Sequence, residues 1–301
     1  MPNTNTTVTL PAEAQTFYDR TLLKRMLPEL VFAQFAQKRP IPKNAGKKIN
    51  FRRFTPLAPA TTPLTEGVTP DGSTLNVETV EATLKQYGDF VEISDVLDLT
   101  GIDPVATETS ELLGEQSGQT LDSVLRNAVC AGTNVIYVGG TSTETVNGVM
   151  TSEIIKKAAR TLKAMNTPKI NGSYIGIIDP YISYDIQNDP LWKDVSTYNG
   201  GVKVMDGEIG KLGGVRFIET TETLTKNGEK VHCAMIIGKD AYGVTDIENS
   251  GTKPRIIIKG FGSGGSADPL EQRQTQGWKA LQAQMRLNEL AMVRVECTVS
   301  E

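Results

Sequence analysis

The stretch from Asp103 to Gly132, DPVATETSELLGEQSGQTLDSVLRNAVCAG, predicts one long helix. Asp103 suits the N-cap, Pro104 suits the first helical position, and Gly132 is a typical terminator. At 1.5 Å per residue this spine helix would be roughly 40 Å long, more than the radius of a domain of this size. Because Gly114 and Gly118 each cost roughly 1 kcal/mol relative to alanine, the helix needs support from packed neighbours. Its apolar positions follow helical spacing: Val105, Leu112, Leu113, the stem of Gln116, Leu121, Val124, Leu125 and Ala128.

Two alternating stretches before the spine helix predict the arms of one long β-hairpin. KKINFRRF at 47–54 alternates apolar and polar residues, and LNVETVEATLKQYGDFVEIS at 75–94 continues the alternation. The residues between them, 55–74, are rich in Pro, Thr and Gly and have no core pattern. Such a loop is longer than a compact domain usually has, so we expect it to be functional or to rest on a partner.

The first 45 residues predict an N-terminal arm and a short helix. Residues 1–15 are rich in Thr, Asn and Pro without an apolar period, so we expect an extended arm that is ordered only by contact. TFYDRTLLKRMLPELVFAQFA at 16–36 has helical apolar spacing, and Pro28 breaks or kinks the helix.

From Thr151 onward, helices and strands alternate as in an α+β domain of about one hundred residues. The stretches at 151–168 and 180–188 predict helices, the first with lysines on its outer face. AMVRVECTVS at 291–300 predicts a half-buried strand, with Arg294, Glu296 and Thr298 on the solvent face. Further strands are predicted by SYIGIIDP at 173–180, VRFIETT at 215–221, KVHCAMIIG at 230–238 and KPRIIIKG at 253–260.

The glycine-rich stretch GEIGKLGGVRF at 207–217 predicts a turn. A phosphate loop would need glycine at Met205 and a hydroxyl at Leu212, and a dinucleotide fingerprint would lead into a helix. Here the residues that follow, from Val215, predict a strand. We therefore interpret the glycines as turn residues with positive φ and close backbone contact.

Composition favours a soluble globular protein: 39% of the 301 residues are hydrophobic and 22% are charged. The sequence has no run of roughly twenty apolar residues and no signal-peptide pattern at its start, so we expect synthesis in a cytoplasm. Cys130, Cys233 and Cys297 are far apart and odd in number, which favours buried thiols over disulfides or zinc.

Few residues suit catalysis. His232 is the sole histidine and lies in an apolar run after an Asn227-Gly228 turn, so we interpret it as a hydrogen-bonded strand residue rather than a general base. The sequence contains no nucleophile elbow, zinc-protease motif or calcium loop. We expect no catalytic site, no cofactor and no metal.

The order of parts resembles the major capsid proteins of tailed double-stranded DNA bacteriophages, over essentially the whole chain. Three stretches are similar to stretches of a phage and prophage coat-protein family: GEIGKLGGVRFIETT at 207–221, YIGIIDPYISYDIQNDPLW at 174–192, and ADPLEQRQTQGWKALQAQMRLNELAMVRVE at 267–296. The resemblance implies an α+β coat-protein fold. Its parts would be an N-terminal arm and short helix at 1–45, an extended hairpin loop at 46–100, a peripheral domain with the spine helix at 101–150 plus 255–301, and an axial domain at 151–254.

The resemblance also implies a structural protein that is not an enzyme. The chain would assemble with itself into the hexamers and pentamers of a closed icosahedral shell around double-stranded DNA. Expected further partners are separate scaffolding, portal and decoration proteins and, without sequence preference, the packaged DNA; no membrane is expected. The expected location is the virion, after synthesis in the cytoplasm of the host bacterium. No lysine or asparagine is marked for a covalent cross-link between subunits.

Charge is distributed unevenly along the chain. Residues 20–53 hold ten Lys or Arg against one acid, whereas residues 89–122 hold nine acids and no base. We hypothesise that the basic segment of one subunit lies over the acidic spine region of another, which would steer assembly. Two solvated faces are the alternative, because exposed ion pairs contribute little. The candidate contacts between subunits are Arg39, Lys47, Lys48, Arg52, Arg53, Asp95, Asp98, Glu108 and Glu111.

Three other functions are open at this point. The basic segment could contact packaged DNA, although the net charge of -4 and the lack of an aromatic and basic stripe disfavour a dedicated nucleic-acid binder. A cellular nanocompartment shell would share the fold and carry a docking groove for an enzyme cargo. A small enzyme that uses Asp or Glu would need a concave site with perturbed carboxylates.

Overall fold

The computed structural model describes residues 31–41, 46–55, 57–69, 71–100, 105–192, 208–245, 254–264 and 268–300. The arm predicted at 1–15 and most of the helix predicted at 16–36 lie outside these ranges. Within the described end of that stretch, Phe32–Gln34 forms a short 3-10 helix.

The helices with bounds in the described ranges are α1 Asp95–Thr100, α2 Val105–Cys130, α3 Ser152–Ala164 and α4 Pro180–Asn188. The strands are β1 Gln37–Lys38, β2 Lys48–Phe54, β3 Val77–Thr83, β4 Lys85–Ser94, β5 Val135–Tyr137, β6 Tyr174–Ile178, β7 Glu208–Leu212, β8 Val215–Glu219, β9 Leu224–Lys226, β10 Val231–Ile237, β11 Tyr242–Thr245, β12 Arg255–Lys259, β13 Arg273–Arg286 and β14 Met292–Cys297. The α+β class, the spine helix α2 and the predicted strands of the second half are confirmed.

The larger sheet has the strand order β5-β14-β10-β6-β8-β7, with β9 also paired to β10. One face packs against α3 and α4 through residues such as Ile155, Leu162 and Ile182. The other face packs against the C-terminal part of α2 through Leu125 and Val129. Because helices from the same chain cover both faces, this sheet forms a self-contained core.

Strand β14 differs from its prediction, because both of its faces are buried. Arg294, expected in solvent, donates from one guanidinium nitrogen to the carbonyl of Gly132 at 2.9 Å, just beyond the end of α2. Glu296 accepts hydrogen bonds from Lys226 at 2.7 Å and Thr143 at 2.6 Å. Charged side chains on the presumed solvent face are thus satisfied by polar partners in the interior.

The smaller sheet is organised around β13, the longest of the described strands, which the sequence analysis did not predict. Along its length β13 pairs with β4, β12 and β11, and β11 pairs in turn with β1. The first half of α2 lies across one face of this sheet, where Trp278 donates to Gln116 at 3.0 Å and Ser110 donates to Gln276 at 3.0 Å. The strand was missed because its buried face carries glutamines, which break the apolar alternation.

The second arm of the predicted hairpin is split at Leu84. Strand β3 pairs with β2, as predicted, but β4 pairs with β13 instead. Leu84 is buried, and its N–H donates to the carbonyl of Lys47 at 2.8 Å. The chain therefore leaves the hairpin and enters the smaller sheet within one residue.

The domain boundaries remain a prediction. Strands β5 and β14 come from ranges expected in the peripheral domain, yet both pair within the larger sheet, whose other strands come from 151–254. The spine helix connects the two sheets, because its first half packs on the smaller sheet and its C-terminal part packs on the larger one.

Candidate assembly surfaces

The β2–β3 hairpin is anchored at its base by a small apolar cluster. Phe51 and Ala82 pack against Ala283 and Met285 of β13, with Ile41, Ile49, Val80 and Leu84 around them. The guanidinium of Arg39 lies 5.5 Å from the centre of the Phe51 ring, which favours a cation–π contact. The base of the hairpin is thus part of the folded body.

The outer hairpin, residues 52–79, has no such anchor. Every one of its described residues is exposed to solvent. Phe54 and Val77 lie directly opposite each other on the two strands and are 63% and 46% exposed. Leu57, Leu64, Val68 and Leu75 extend this set of exposed apolar side chains. An isolated two-stranded hairpin is only marginally stable in water. Exposed apolar side chains that lie close together are typical of interaction surfaces. We therefore interpret the outer hairpin as a segment that is stabilised by a partner.

Two of the candidate basic residues already form ion pairs across the hairpin. Arg53 lies 2.5 Å from Glu78, and Lys48 lies 2.6 Å from Glu81. All four side chains are substantially exposed, so each pair contributes little to stability and can be exchanged for another partner. Arg52 is exposed and shares a face of the hairpin with Phe54, because side chains two residues apart point the same way.

The candidate acids lie on α1 and the first half of the spine helix. Asp98 and Glu108 are exposed, whereas Asp95 and Glu111 are half-buried. Asp95 also accepts the N–H of Val96 at 2.8 Å. Within the described part of one chain, no salt bridge joins Asp95, Asp98 or Glu108 to the candidate bases.

Leu112 is an exposed leucine beside two of these acids, contrary to its predicted place in the buried stripe of the spine helix. Leu112 was counted in the apolar stripe of the spine helix, but it is 62% exposed. It follows Glu108 by one helical turn and therefore lies on the same side of the helix. Leu97 and Leu99 of α1 are exposed too. We give the name acidic surface to the acids Asp95, Asp98, Glu108 and Glu111 together with Leu97, Leu99 and Leu112, which supply charge and exposed apolar side chains on two consecutive helices.

Two acids of the 89–122 region outside this surface, Asp122 and Asp89, accept hydrogen bonds within the chain. Asp122 is 1% exposed, and its Oδ1 accepts the backbone N–H of Phe32 at 3.0 Å. Asp89 accepts hydrogen bonds from Gln116 at 2.6 Å and from the N–H of Phe90 at 2.9 Å, which lower its pKa. Asp89 is exposed and stays ionised, whereas Asp122 is buried, so the count of nine acids in the sequence overstates the charge available to a partner by at least Asp122.

The face of the smaller sheet opposite the spine helix carries exposed residues in the described ranges, which the sequence pattern did not predict. Phe90 of β4 is 62% exposed and lies opposite Gly277 of β13. A Cβ at Gly277 would come within 2.7 Å of the Cβ of Phe90, so the glycine makes room for the ring. Lys279 and Glu92 are exposed on the same face.

The residues considered for chemistry have structural roles. His232 is buried in β10, and its Nδ1 contacts the carboxylate of Asp179, as expected of a hydrogen-bonded strand histidine. Asp179 in turn caps α4 by accepting the N–H of Ile182 at 2.7 Å. The three cysteines are buried free thiols, as predicted. Burial raises the pKa of Cys130 to about 11 and that of Cys233 to about 12, so neither is ionised near neutral pH.

The glycine-rich stretch forms a tight turn between β7 and β8. Gly213 and Gly214 have φ values of 63° and 91°, the left-handed region in which glycine is favoured. The turn interpretation is confirmed for these two residues, whereas Gly207 lies outside the described ranges. Over the residues that the structure describes, we find no cluster of three or more His, Cys, Asp or Glu suited to a metal ion. Nor does any helix in the described ranges have the length and hydropathy to span a membrane.

Comparison with solved structures identifies the fold. The capsid of cyanophage P-SCSP1u has a TM-score of 0.70 at 16% identity, covering 90% of this chain and 89% of that chain. The capsid of Ralstonia phage GP4 has a TM-score of 0.69 at 13% identity, covering 89% and 88%. A virus-like particle from Pyrococcus furiosus has a TM-score of 0.57 at 10% identity, covering 94% and 100%. No protein-family model and no curated protein matches the sequence. The chain therefore has the fold of tailed-phage capsid subunits.

Proposed function

We propose that this protein is the major capsid protein of a tailed double-stranded DNA bacteriophage, and that copies of it form a closed icosahedral shell. The observation that carries the proposal is the match to phage capsid subunits over about nine tenths of both chains. The outer hairpin adds support, because its apolar residues have no partner in the described part of their own chain. A second copy of the chain supplies that partner.

The contact between subunits follows from complementary composition. The outer hairpin presents Phe54 and Val77 beside Arg52, and the acidic surface presents Leu112 beside Glu108. In our proposal the outer hairpin of one subunit lies on the acidic surface of its neighbour. The apolar pairs would supply binding free energy and the charges would set the register. The remaining candidate contacts in this arrangement are Arg39, Lys47, Lys48, Arg53, Asp95, Asp98 and Glu111.

The proposal extends to the organisation of the shell. Residues 101–150 with 255–301 would form the peripheral domain, and 151–254 would form the axial domain around the centre of each hexamer or pentamer. Separate scaffolding, portal and decoration proteins and the packaged DNA are the expected further partners. Contact with DNA would be electrostatic and without sequence preference. The location is the virion, after synthesis in the host cytoplasm.

Particle formation by the purified full chain is the direct test. Negative-stain electron microscopy would be combined with light scattering across a series of protein and salt concentrations. We expect rings, tubes or uniform shells whose mass is many times the 32.6 kDa of one chain. A monomer that persists through the whole series would contradict self-assembly by this chain alone.

A nanocompartment shell is the second candidate, favoured by the likeness to the Pyrococcus furiosus particle over the full length of that chain. Its TM-score of 0.57 is lower than the 0.70 and 0.69 of the two phage capsids, so we place it second. The contents of shells purified from the natural source distinguish the two functions. A genome-length double-stranded DNA indicates a phage capsid, and a single enclosed enzyme indicates a nanocompartment.

A further inference from the structure

Asp122 is a buried carboxyl in the spine helix that the proposed shell contacts do not use. Its residue is 1% exposed. Oδ1 accepts the N–H of Phe32 at 3.0 Å, whereas Oδ2 is buried without a hydrogen-bond partner. An ionised carboxylate in this position has one buried oxygen without a donor from the described residues, which disfavours the charged form.

The segment at 31–36 packs onto the spine helix beside this carboxyl. The Phe32 side chain is 1% exposed and packs with Leu125 and Val129 of that helix. The Phe32 carbonyl accepts the hydroxyl of Tyr242 at 2.7 Å. One residue of the segment is therefore held by its ring, its N–H and its carbonyl. Because Phe32 shields the carboxyl of Asp122, undocking of the segment would return that carboxyl to water.

The charged and titratable groups around Asp122 come from each element packed against it. Burial is the main cause that raises the pKa of Asp122 to about 6, and the N–H groups of Phe32 and Ala33 oppose it only in part. Glu222, before β9, raises this pKa further, and Arg126 lowers it. Arg126 is itself engaged by the carbonyl of Glu222 at 2.9 Å. On the β11 side, burial raises the pKa of Tyr242 well above its usual value, so that hydroxyl stays neutral.

We propose that Asp122 is a proton-operated latch, which holds the segment at 31–36 tightly on the spine helix when protonated and releases it more readily when ionised. In the docked state the pKa of the Asp122 carboxyl is about 6, above the value of about 3.9 for an aspartate in water. Between about pH 4 and about pH 6, docking is therefore accompanied by the uptake of a proton. Docking is therefore strongest at pH values below about 4 and weakens as the pH rises through about 6. A shift of about two pH units corresponds to roughly a hundredfold change in the docking equilibrium. The latch belongs to a single chain and operates whether or not the chain forms a shell.

Hydrogen exchange measured by mass spectrometry on the full-length unassembled chain tests the latch. The peptide that covers 31–38 would be followed between about pH 4.5 and pH 7.5, after correction for the intrinsic exchange rate. We expect its protection to fall at least tenfold, roughly, across this range. In Asp122→Asn the amide keeps the acceptor but cannot ionise, so protection should be independent of pH. The exposed acid Asp98 gives the matched control, because Asp98→Asn should keep the wild-type profile.

Two results would overturn the latch: a flat pH profile in the wild-type chain, or the same fall in protection in Asp122→Asn. Phe32→Ala keeps the proposal testable if the asparagine variant does not fold. This variant retains the carboxyl but removes the ring that shields it, so protection should be low and independent of pH over the same range. A pH-dependent fall that survives in Phe32→Ala would contradict the role of Phe32 burial.

Discussion

The larger sheet and the outer hairpin use similar strand residues but satisfy them in opposite ways. In β10 all seven residues of VHCAMII are buried, because α3, α4 and the spine helix of the same chain cover both faces. In the outer hairpin Phe54 and Val77 pair across two strands and remain exposed. Apolar strand residues thus stabilise the subunit itself in the larger sheet, whereas in the outer hairpin they are exposed and can contact another molecule.

Of the changes that test this comparison, deletion of the outer hairpin should have the largest effect on assembly. Replacing 56–75 by Asn-Gly joins Thr55 to Asn76, whose backbone groups already pair at 3.0 Å, through a two-residue turn that suits a hydrogen-bonded pair. We expect particle formation to be lost, because the segment that reaches a neighbour is gone. The free energy of unfolding should change by no more than about 1 kcal/mol, because the removed residues that the structure describes are exposed. Electron microscopy and urea unfolding of the same preparation give the two readouts, and normal particles from the truncated chain would contradict the hairpin's role.

A leucine-to-alanine substitution should lower the free energy of unfolding much more in the larger sheet's core than in the outer hairpin. Leu162 of α3 is fully buried under the larger sheet, and Leu64 of the outer hairpin is 79% exposed. Leu162→Ala should lower the free energy of unfolding by about 2–5 kcal/mol, since it leaves a cavity. Leu64→Ala should change it by about 0.5 kcal/mol or less. Urea unfolding of the unassembled chain measures both, and equal losses would show that the hairpin is part of the subunit core.

Charge reversal on the outer hairpin should have the smallest effect and act on assembly alone. Arg52→Glu should lengthen the lag phase of assembly by roughly twofold to fivefold, because one exposed pair is worth about 0.2–1 kcal/mol. Combining it with Glu108→Lys should restore part of the rate if these two groups face each other across subunits. The exposed Lys163 of α3 provides the control, since Lys163→Glu makes the same charge change elsewhere. Light scattering at low and high salt measures the rates, and a lag phase that is unchanged by salt and by Arg52→Glu would refute the charge hypothesis.

Local pattern predicted the elements that carry their own signals. The spine helix has a terminating glycine and helical apolar spacing, and it ends at Cys130, close to the predicted terminator Gly132. The β7–β8 turn has two glycines in the left-handed conformation that only glycine adopts readily. These features depend on a few neighbouring residues, so they can be read without knowledge of the rest of the fold.

Elements whose partners are distant in sequence were the ones that pattern missed. Gln276 lies on the buried face of β13 because Ser110 of the spine helix donates to it. Arg294 and Glu296 are buried in β14 because polar groups from other elements meet them. Leu112 is exposed although it shares the apolar spacing of the spine helix. Whether a side chain is buried depends on what lies opposite it, and the alternation of residue types carries no information on that.

The sequence predicted which charged segments the candidate assembly surfaces contain, but it did not predict how their side chains are arranged. The excess of bases at 20–53 and of acids at 89–122 is plain from the sequence. That Arg53 and Lys48 are paired within the hairpin, and that Asp122 is buried under Phe32, required the structure.

The sequence by itself determined the spine helix, α3, α4, five strands of the second half and the resemblance to a capsid subunit, because periodicity and turn residues act over a few positions. Only the tertiary structure decided that the long alternating stretch changes partners at Leu84, that charged residues of β14 are interior, and that the described residues of the outer hairpin are exposed. The physical reason is that strand pairing and burial are set by contacts between distant segments. Their free energy depends on the assembled surfaces rather than on any one stretch of chain.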